Sequence, residues 1–192
     1  MTKIFDALRV VLSDYPTSFK NFYGSAEGLP QGVGLIYDDV VFPVLDNNSK
    51  IFATVSGPVL VLTHECDISQ DNERVLNEDL LVCPIILFEH FVETFSDDDL
   101  RNILPQLGRN RIHRLMFLPP HLGILDKGGI ISFNNICSTH ISLLKEPSEA
   151  LCTLSAAGLR TLDLKLTQHL FREKSVVLPH TYYYLPNWHT RH

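Results

Sequence analysis

Apolar residues change their spacing several times along the chain, and each change marks an element. Ile4, Phe5, Leu8, Val11 and Leu12 recur at helical intervals, which predicts a short amphipathic helix ended by Asp14-Tyr15-Pro16. A connection carrying Gly24, Gly28, Pro30, Gly32 and Gly34 leads to Leu35–Leu45. That stretch is rich in Val, Ile, Tyr and Phe and therefore extended, with Pro43 marking an edge or a bend. Asp46-Asn47-Asn48-Ser49 has turn chemistry, so Ile51–Val55 can return as the partner strand of a hairpin. Gly57-Pro58 then launches a further strand, Val59-Leu60-Val61-Leu62. Its continuous apolar run is the pattern of a strand buried on both faces.

Leu80–Ile86 repeats that pattern. Ser96 is placed to cap a mid-chain helix, with Asp97, Asp98 and Asp99 in its first turn, and Pro105 or Gly108 should stop it. Arg114–Leu118 reads as a strand closed by Pro119-Pro120. After Gly128-Gly129, the segment Ile130–Ile141 alternates irregularly, which predicts a bent strand. Ser155 caps the longest helix, whose Leu159, Leu162, Leu166 and Leu170 form one stripe. No internal repeat interrupts this order. It describes a single domain over residues 1–175 and an aromatic tail over 176–192.

Composition narrows the functional classes. The chain has 192 residues, a hydrophobic fraction of 45% and a formal net charge of -6, which suits a folded domain and argues against a general nucleic-acid or membrane-surface binder. Any nucleic-acid role would need a local basic groove. Cys66, Cys83, Cys137 and Cys152 are too sparse for a disulfide framework and sit among apolar neighbours, as buried thiols do. The stretch from Met1 to Leu12 lacks the apolar core of a signal peptide, and no run approaches the roughly 20 apolar residues of a membrane span. The expectation is a reduced, cytoplasmic protein, in which the Asn47-Asn48-Ser49 acceptor pattern has no glycosylation context.

Three blocks in order carry a family resemblance. A first strand from Gly34, then Gly57-Pro58-Val59-Leu60-Val61-Leu62-Thr63, then Leu81-Val82-Cys83-Pro84-Ile85 resemble the opening strands of the PemK/MazF-like proteins, the SH3-like barrels of bacterial toxin ribonucleases. Ser155–Phe171 resembles the family's closing helix, and together these blocks cover about half of the chain. The resemblance implies an α+β fold: a small SH3-like, PemK-like β-barrel with an N-terminal helix, a mid-chain helix and a C-terminal helix plus tail. The chain also resembles uncharacterised bacterial proteins in which a strand is followed by Cys-Asp-Ile, here Cys66-Asp67-Ile68, and which look like accessory parts of plasmid or phage-defence loci. The toxin family places an Arg beside the start of the second strand and a Ser or Thr just after the third-strand Pro. Here Ser56-Gly57 and Ile86 stand in those places. An RNase needs a cation for the developing phosphorane charge and a proton-transfer group, and neither position supplies one.

The most distinctive polar cluster is His64-Glu65-Cys66-Asp67. In extended geometry His64 and Cys66 share a face, where they could ligate a metal or form a thiolate–imidazolium pair, with Asp67 alternatively capping the next turn. No Cys-x-x-Cys knuckle is present, so further ligands would come from His90, His113, Cys137 or His140. No metal or other cofactor is expected. Asp97-Asp98-Asp99 suits a helix start better than a metal site. Arg109, Arg111, His113 and Arg114 form a basic cluster fit for a phosphate, RNA or an acidic partner, or for guarding a strand edge. Tyr182, Tyr183, Tyr184 and Trp188 concentrate aromatic surface in the tail, suited to packing on the domain or on a partner. No P-loop, G-x-S-x-G elbow, H-E-x-x-H or dinucleotide fingerprint occurs.

The function expected from these readings is a non-catalytic or atypical PemK/MazF-like interaction subunit of a toxin–antitoxin-like or phage-defence system, with a protein partner or a second copy. The competing readings are an endoribonuclease with relocated groups (His64 or His113 with Arg109, Arg111 or Arg114) and a metal or thiol site at His64 and Cys66.

Overall fold

Val59, Leu60 and Val61 are all fully buried, and they are so because the sheet is covered on both faces at that point. The computed structural model describes residues 21–45, 50–68, 78–108, 110–121, 123–144 and 149–170. The expected N-terminal helix, the 46–49 turn, Arg109 and the aromatic tail with Tyr182, Tyr183, Tyr184 and Trp188 lie outside the described residues.

The strands are β1 (Tyr23–Gly24), β2 (Leu35–Leu45), β3 (Phe52–Val61), β4 (Asp79–Leu87), β5 (Leu115–Leu118), β6 (Gly129–Ser132), β7 (Cys137–His140) and β8 (Cys152–Leu154). The helices are α1 (Glu65–Ile68), α2 (Phe88–Glu93), α3 (Asp97–Gly108) and α4 (Ala156–Leu170). The fold is α+β, as expected. All pairings are antiparallel, in the order β1-β8-β2-β3-β4-β6-β5, with β7 also on β4.

This sheet is curled but not closed, which corrects the expectation of a barrel. The distal half of β2 pairs only with β3. Where a barrel would need a ladder between β2 and β7, the Thr139 hydroxyl donates instead to the Val41 carbonyl at 2.9 Å. Pro43 stands on that unpaired edge, the place where a residue without an N–H costs no ladder bond.

A further expectation changes. Gly57-Pro58 does not separate two strands, because β3 runs through it. Tyr37 faces Val59 and Val40 faces Gly57, so Asp38 and Asp39 together oppose Pro58 alone. That bulge in β2 absorbs the missing donor of the proline. Pro105 lies inside α3, and the helix ends at Gly108, one of the two stops expected. The carbonyl that loses its partner there belongs to Arg101, an exposed residue of the helix. The segment Ile130–Ile141 is bent as expected. Val82 faces Cys137 while Ile85 faces Ile131, so three extra residues loop out as a 3-10 turn, Phe133–Asn135, between β6 and β7.

The helices cover opposite faces. Ile36, Leu60, Cys83, Ile85, Met116 and Ile131 form a core under Leu162 of α4. Ile86, Leu115, Phe117 and Ile130 face the other way, toward Phe88, Phe91 and Val92 of α2 and Leu100, Ile103, Leu104 and Leu107 of α3. A third cluster fills the curl with Leu35, Tyr37, Val40, Phe42, Val59, Val61, Leu80 and Val82. Both predicted caps form: Asp99 N–H donates to Ser96 Oγ at 3.2 Å and Gly158 N–H to Ser155 Oγ at 3.3 Å. Gly158 lets α4 press on the first strand, since a Cβ there would meet the Phe22 carbonyl at 2.6 Å. No helix among the described residues is long and apolar enough to cross a membrane.

Candidate functional site

Where β3 ends, the chain does not stay extended. Leu62 N–H donates to the Leu81 carbonyl at 2.8 Å and Thr63 Oγ1 accepts from Leu81 N–H at 2.7 Å, which fixes the strand end. The backbone then winds into α1, whose Cys66 N–H donates to His64 Nδ1 at 3.2 Å. His64 is thus the cap of a helical turn, so the strand alternation that would bring its ring beside the Cys66 thiol is lost. Gly32 backs the turn, and a Cβ on it would lie 3.0 Å from Glu65 Cβ and 3.1 Å from Glu65 N. His64, Cys66 and Asp67 are all exposed.

The further ligands considered for this cluster do not assemble around it. His140 instead caps a 3-10 turn, its ring lying 2.8 Å from Ser142 Oγ and 3.2 Å from Glu78 Oε2. Cys137 is half-buried on β7, and burial pushes its thiol up to about 11. No group of three or more His, Cys, Asp or Glu among the described residues is arranged to hold a metal ion. The cysteines form no disulfide.

The basic cluster is better organised. Asn110 adopts the left-handed conformation, with φ 51°, just past the end of α3. Its N–H donates to the Leu107 carbonyl at 2.9 Å and Arg111 N–H donates to the Gln106 carbonyl at 2.8 Å. This pair of crossed bonds is a Schellman cap, and positive charge after it also suits the negative end of the helix.

The carbonyls of the next residues face inward to a lysine. Lys165, on α4 and only 2% exposed, donates from Nζ to the carbonyls of Asn110 at 3.1 Å and Ile112 at 2.7 Å. Burial lowers its pKa from the ordinary lysine value to about 8. Asn110 Oδ1 is buried beside it without a hydrogen-bond partner. Ile112 packs inward on the α2–α3 core while Arg111 and His113 are exposed. Arg114 is half-buried; its carbonyl accepts from Phe133 N–H at 2.9 Å, and the Phe133 ring lies 5.7 Å from His169.

His64 and Arg114 therefore stand at the same end of the sheet but not together. The strands β4 and β6 separate β3 from β5, three strand spacings or about 14 Å. Lys165 was not legible as part of the basic cluster: its spacing places it beside Leu162 and Leu166, and nothing in the sequence pairs it with residues 110–112.

A second surface stands out at the distal end of the β2–β3 hairpin. Leu45 pairs with Phe52, and the two are 44% and 72% exposed; Ile51 is 67% exposed and Pro43 is also in solvent. Comparison of the chain with protein-family models, with curated proteins and with solved structures finds no match in any of the three.

Proposed function

We propose that the chain is an interaction module, a non-catalytic or at most atypical relative of the PemK/MazF-like barrels, that docks a protein partner in a bacterial multi-protein system. The observation that carries this reading is the apolar hairpin end. Leu45 and its cross-strand partner Phe52 present large apolar side chains to solvent, as does the neighbouring Ile51, and exposed apolar surface of that kind marks association sites.

The positions where the toxin family carries its chemistry support the same reading. Ile86 is packed beneath α2 and α3, and Ser56 is an exposed hairpin residue. The separation of His64 from the basic segment counts against a relocated nuclease centre built on His64. The PemK/MazF-like kinship rests on the β2–β3 hairpin, the buried β4 and the closing α4 with its Ser155 cap.

Light scattering on the full chain, alone and with candidate protein partners, tests the proposal beside a Phe52→Glu variant. Stable association that Phe52→Glu abolishes, with folding retained, is the expected result. A monomer that binds nothing and turns over RNA would overturn it.

A further inference from the structure

The segment Asn110–Arg114 combines two properties that rarely coincide in a surface loop. Its backbone is tied down throughout. Asn110 and Arg111 N–H groups close the α3 cap, Lys165 holds the Asn110 and Ile112 carbonyls, Leu115 N–H donates to Ile112 at 3.0 Å, and the Arg114 carbonyl is taken by Phe133. Its outward side chains, by contrast, are not paired: among the described residues no carboxylate pairs with Arg111 or His113. A pre-ordered loop with unspent charge binds at low entropic cost.

We propose that Asn110–Arg114 is a docking site for an acidic peptide segment of a partner protein, with Arg111 and His113 as its contacts. Arg111 and His113 flank the inward-packed Ile112 and are both exposed, so they can meet two side chains of one ligand segment. Arg111 offers a planar fork suited to carboxylate. A nucleic acid is the poorer fit. Its affinity grows with the number of phosphates neutralised, and the described cations here are few on a chain of net charge -6.

Lys165 is a positioning residue in this scheme. It touches no ligand, but its amine seats the loop on α4 and places a buried cation behind Arg111 and His113. The surface is separate from the hairpin end, so the two proposals stand or fall independently.

The test uses the full chain and a fluorescent peptide of alternating Asp and Ser, read by anisotropy at low and moderate salt. The peptide should bind and weaken with salt. Arg111→Glu should weaken it by about tenfold or more, while Arg160→Glu, on the exposed face of α4, should change it by less than about twofold. Phe52→Glu should leave peptide binding intact. The proposal is overturned if the wild-type chain does not bind the peptide, if Arg111→Glu binds it unchanged, or if a charge-matched single-stranded oligonucleotide binds where the peptide does not. Because Arg111 is exposed, its variant should fold, and an unchanged melting profile verifies that.

Discussion

Lys165 Nζ donates to the backbone carbonyl of Ile112 at 2.7 Å, across 53 residues of sequence, and so ties the last helix to the loop that follows α3. The contact is almost wholly out of water. A charged amine there gains two carbonyl acceptors but loses its hydration, and the lowered pKa says that desolvation wins.

Stability should therefore rise with pH through a defined window. Below about 8, Lys165 is protonated in both folded and unfolded chains and the desolvation cost is fully present. Between about 8 and the ordinary lysine value of 10.5, the folded chain has released the proton while the unfolded chain still holds it, so folding becomes more favourable. The slope from this one group is at most about 1.4 kcal/mol per pH unit. Urea unfolding of wild type and Lys165→Met from pH 7 to 10 isolates it: the difference should move in favour of wild type as pH rises. A flat difference would show that the amine is not desolvated.

Gly158 gives a substitution whose sign runs against propensity. In an exposed helix, Gly→Ala gains about 1 kcal/mol. Here the new Cβ would meet the Phe22 carbonyl at 2.6 Å and Leu154 Cβ at 3.1 Å, and a backbone carbonyl cannot swing aside. Gly158→Ala should cost about 1–3 kcal/mol, as overpacking does. Thermal or urea unfolding measures it, and a stabilised variant would mean that α4 does not seat on Phe22.

Thiol chemistry should sort the cysteines by site. Cys66 is exposed at the end of β3 and should react first with a maleimide or disulfide reagent under native conditions. Burial raises the pKa of Cys83, which donates to the Ser132 carbonyl at 3.3 Å, and lifts Cys152 to about 11, so both should stay protected until the chain unfolds. Mass spectrometry of the labelled peptides reads the order. Early labelling of Cys83 would contradict its place in the core.

What could be read from the sequence was local. The apolar runs around Leu60 and Cys83 announced strands buried on both faces, and Ser96 and Ser155 announced their helices through cap chemistry that needs only neighbours. Four features depended on distant partners and were not legible. The continuity of β3 through Pro58 relies on a bulge in β2. Helix α2 follows β4 without a break, so Phe88, Phe91 and Val92 read as more of the same apolar run. The role of Lys165 depends on residues 110–112, and the failure of the sheet to close depends on where β2 lies against β7. The candidate site suffered most, since the turn at Glu65–Ile68 replaced the alternation on which the His64–Cys66 pairing rested.

The bulge makes the last prediction. Asp39 holds a left-handed backbone with φ 57°, and its N–H donates to Asp38 Oδ1 at 2.9 Å. Asp tolerates that conformation and a β-branched residue does not. Asp39→Val should cost about 1–2 kcal/mol, and Asp39→Gly should be neutral or gain up to about 1 kcal/mol. With the bulge, Val40 and Phe42 enter the core and Pro43 and Leu45 face out. Deleting Asp39 removes the extra residue, so Tyr37 can still face Val59 and Val40 still face Gly57 in an even ladder, and the same side chains stay inward. Amide exchange across Val40–Val44 in the deletion should therefore stay close to wild type relative to β4. A sharp rise would show that the hairpin needs the bulge opposite Pro58 and not only the inward set of β2.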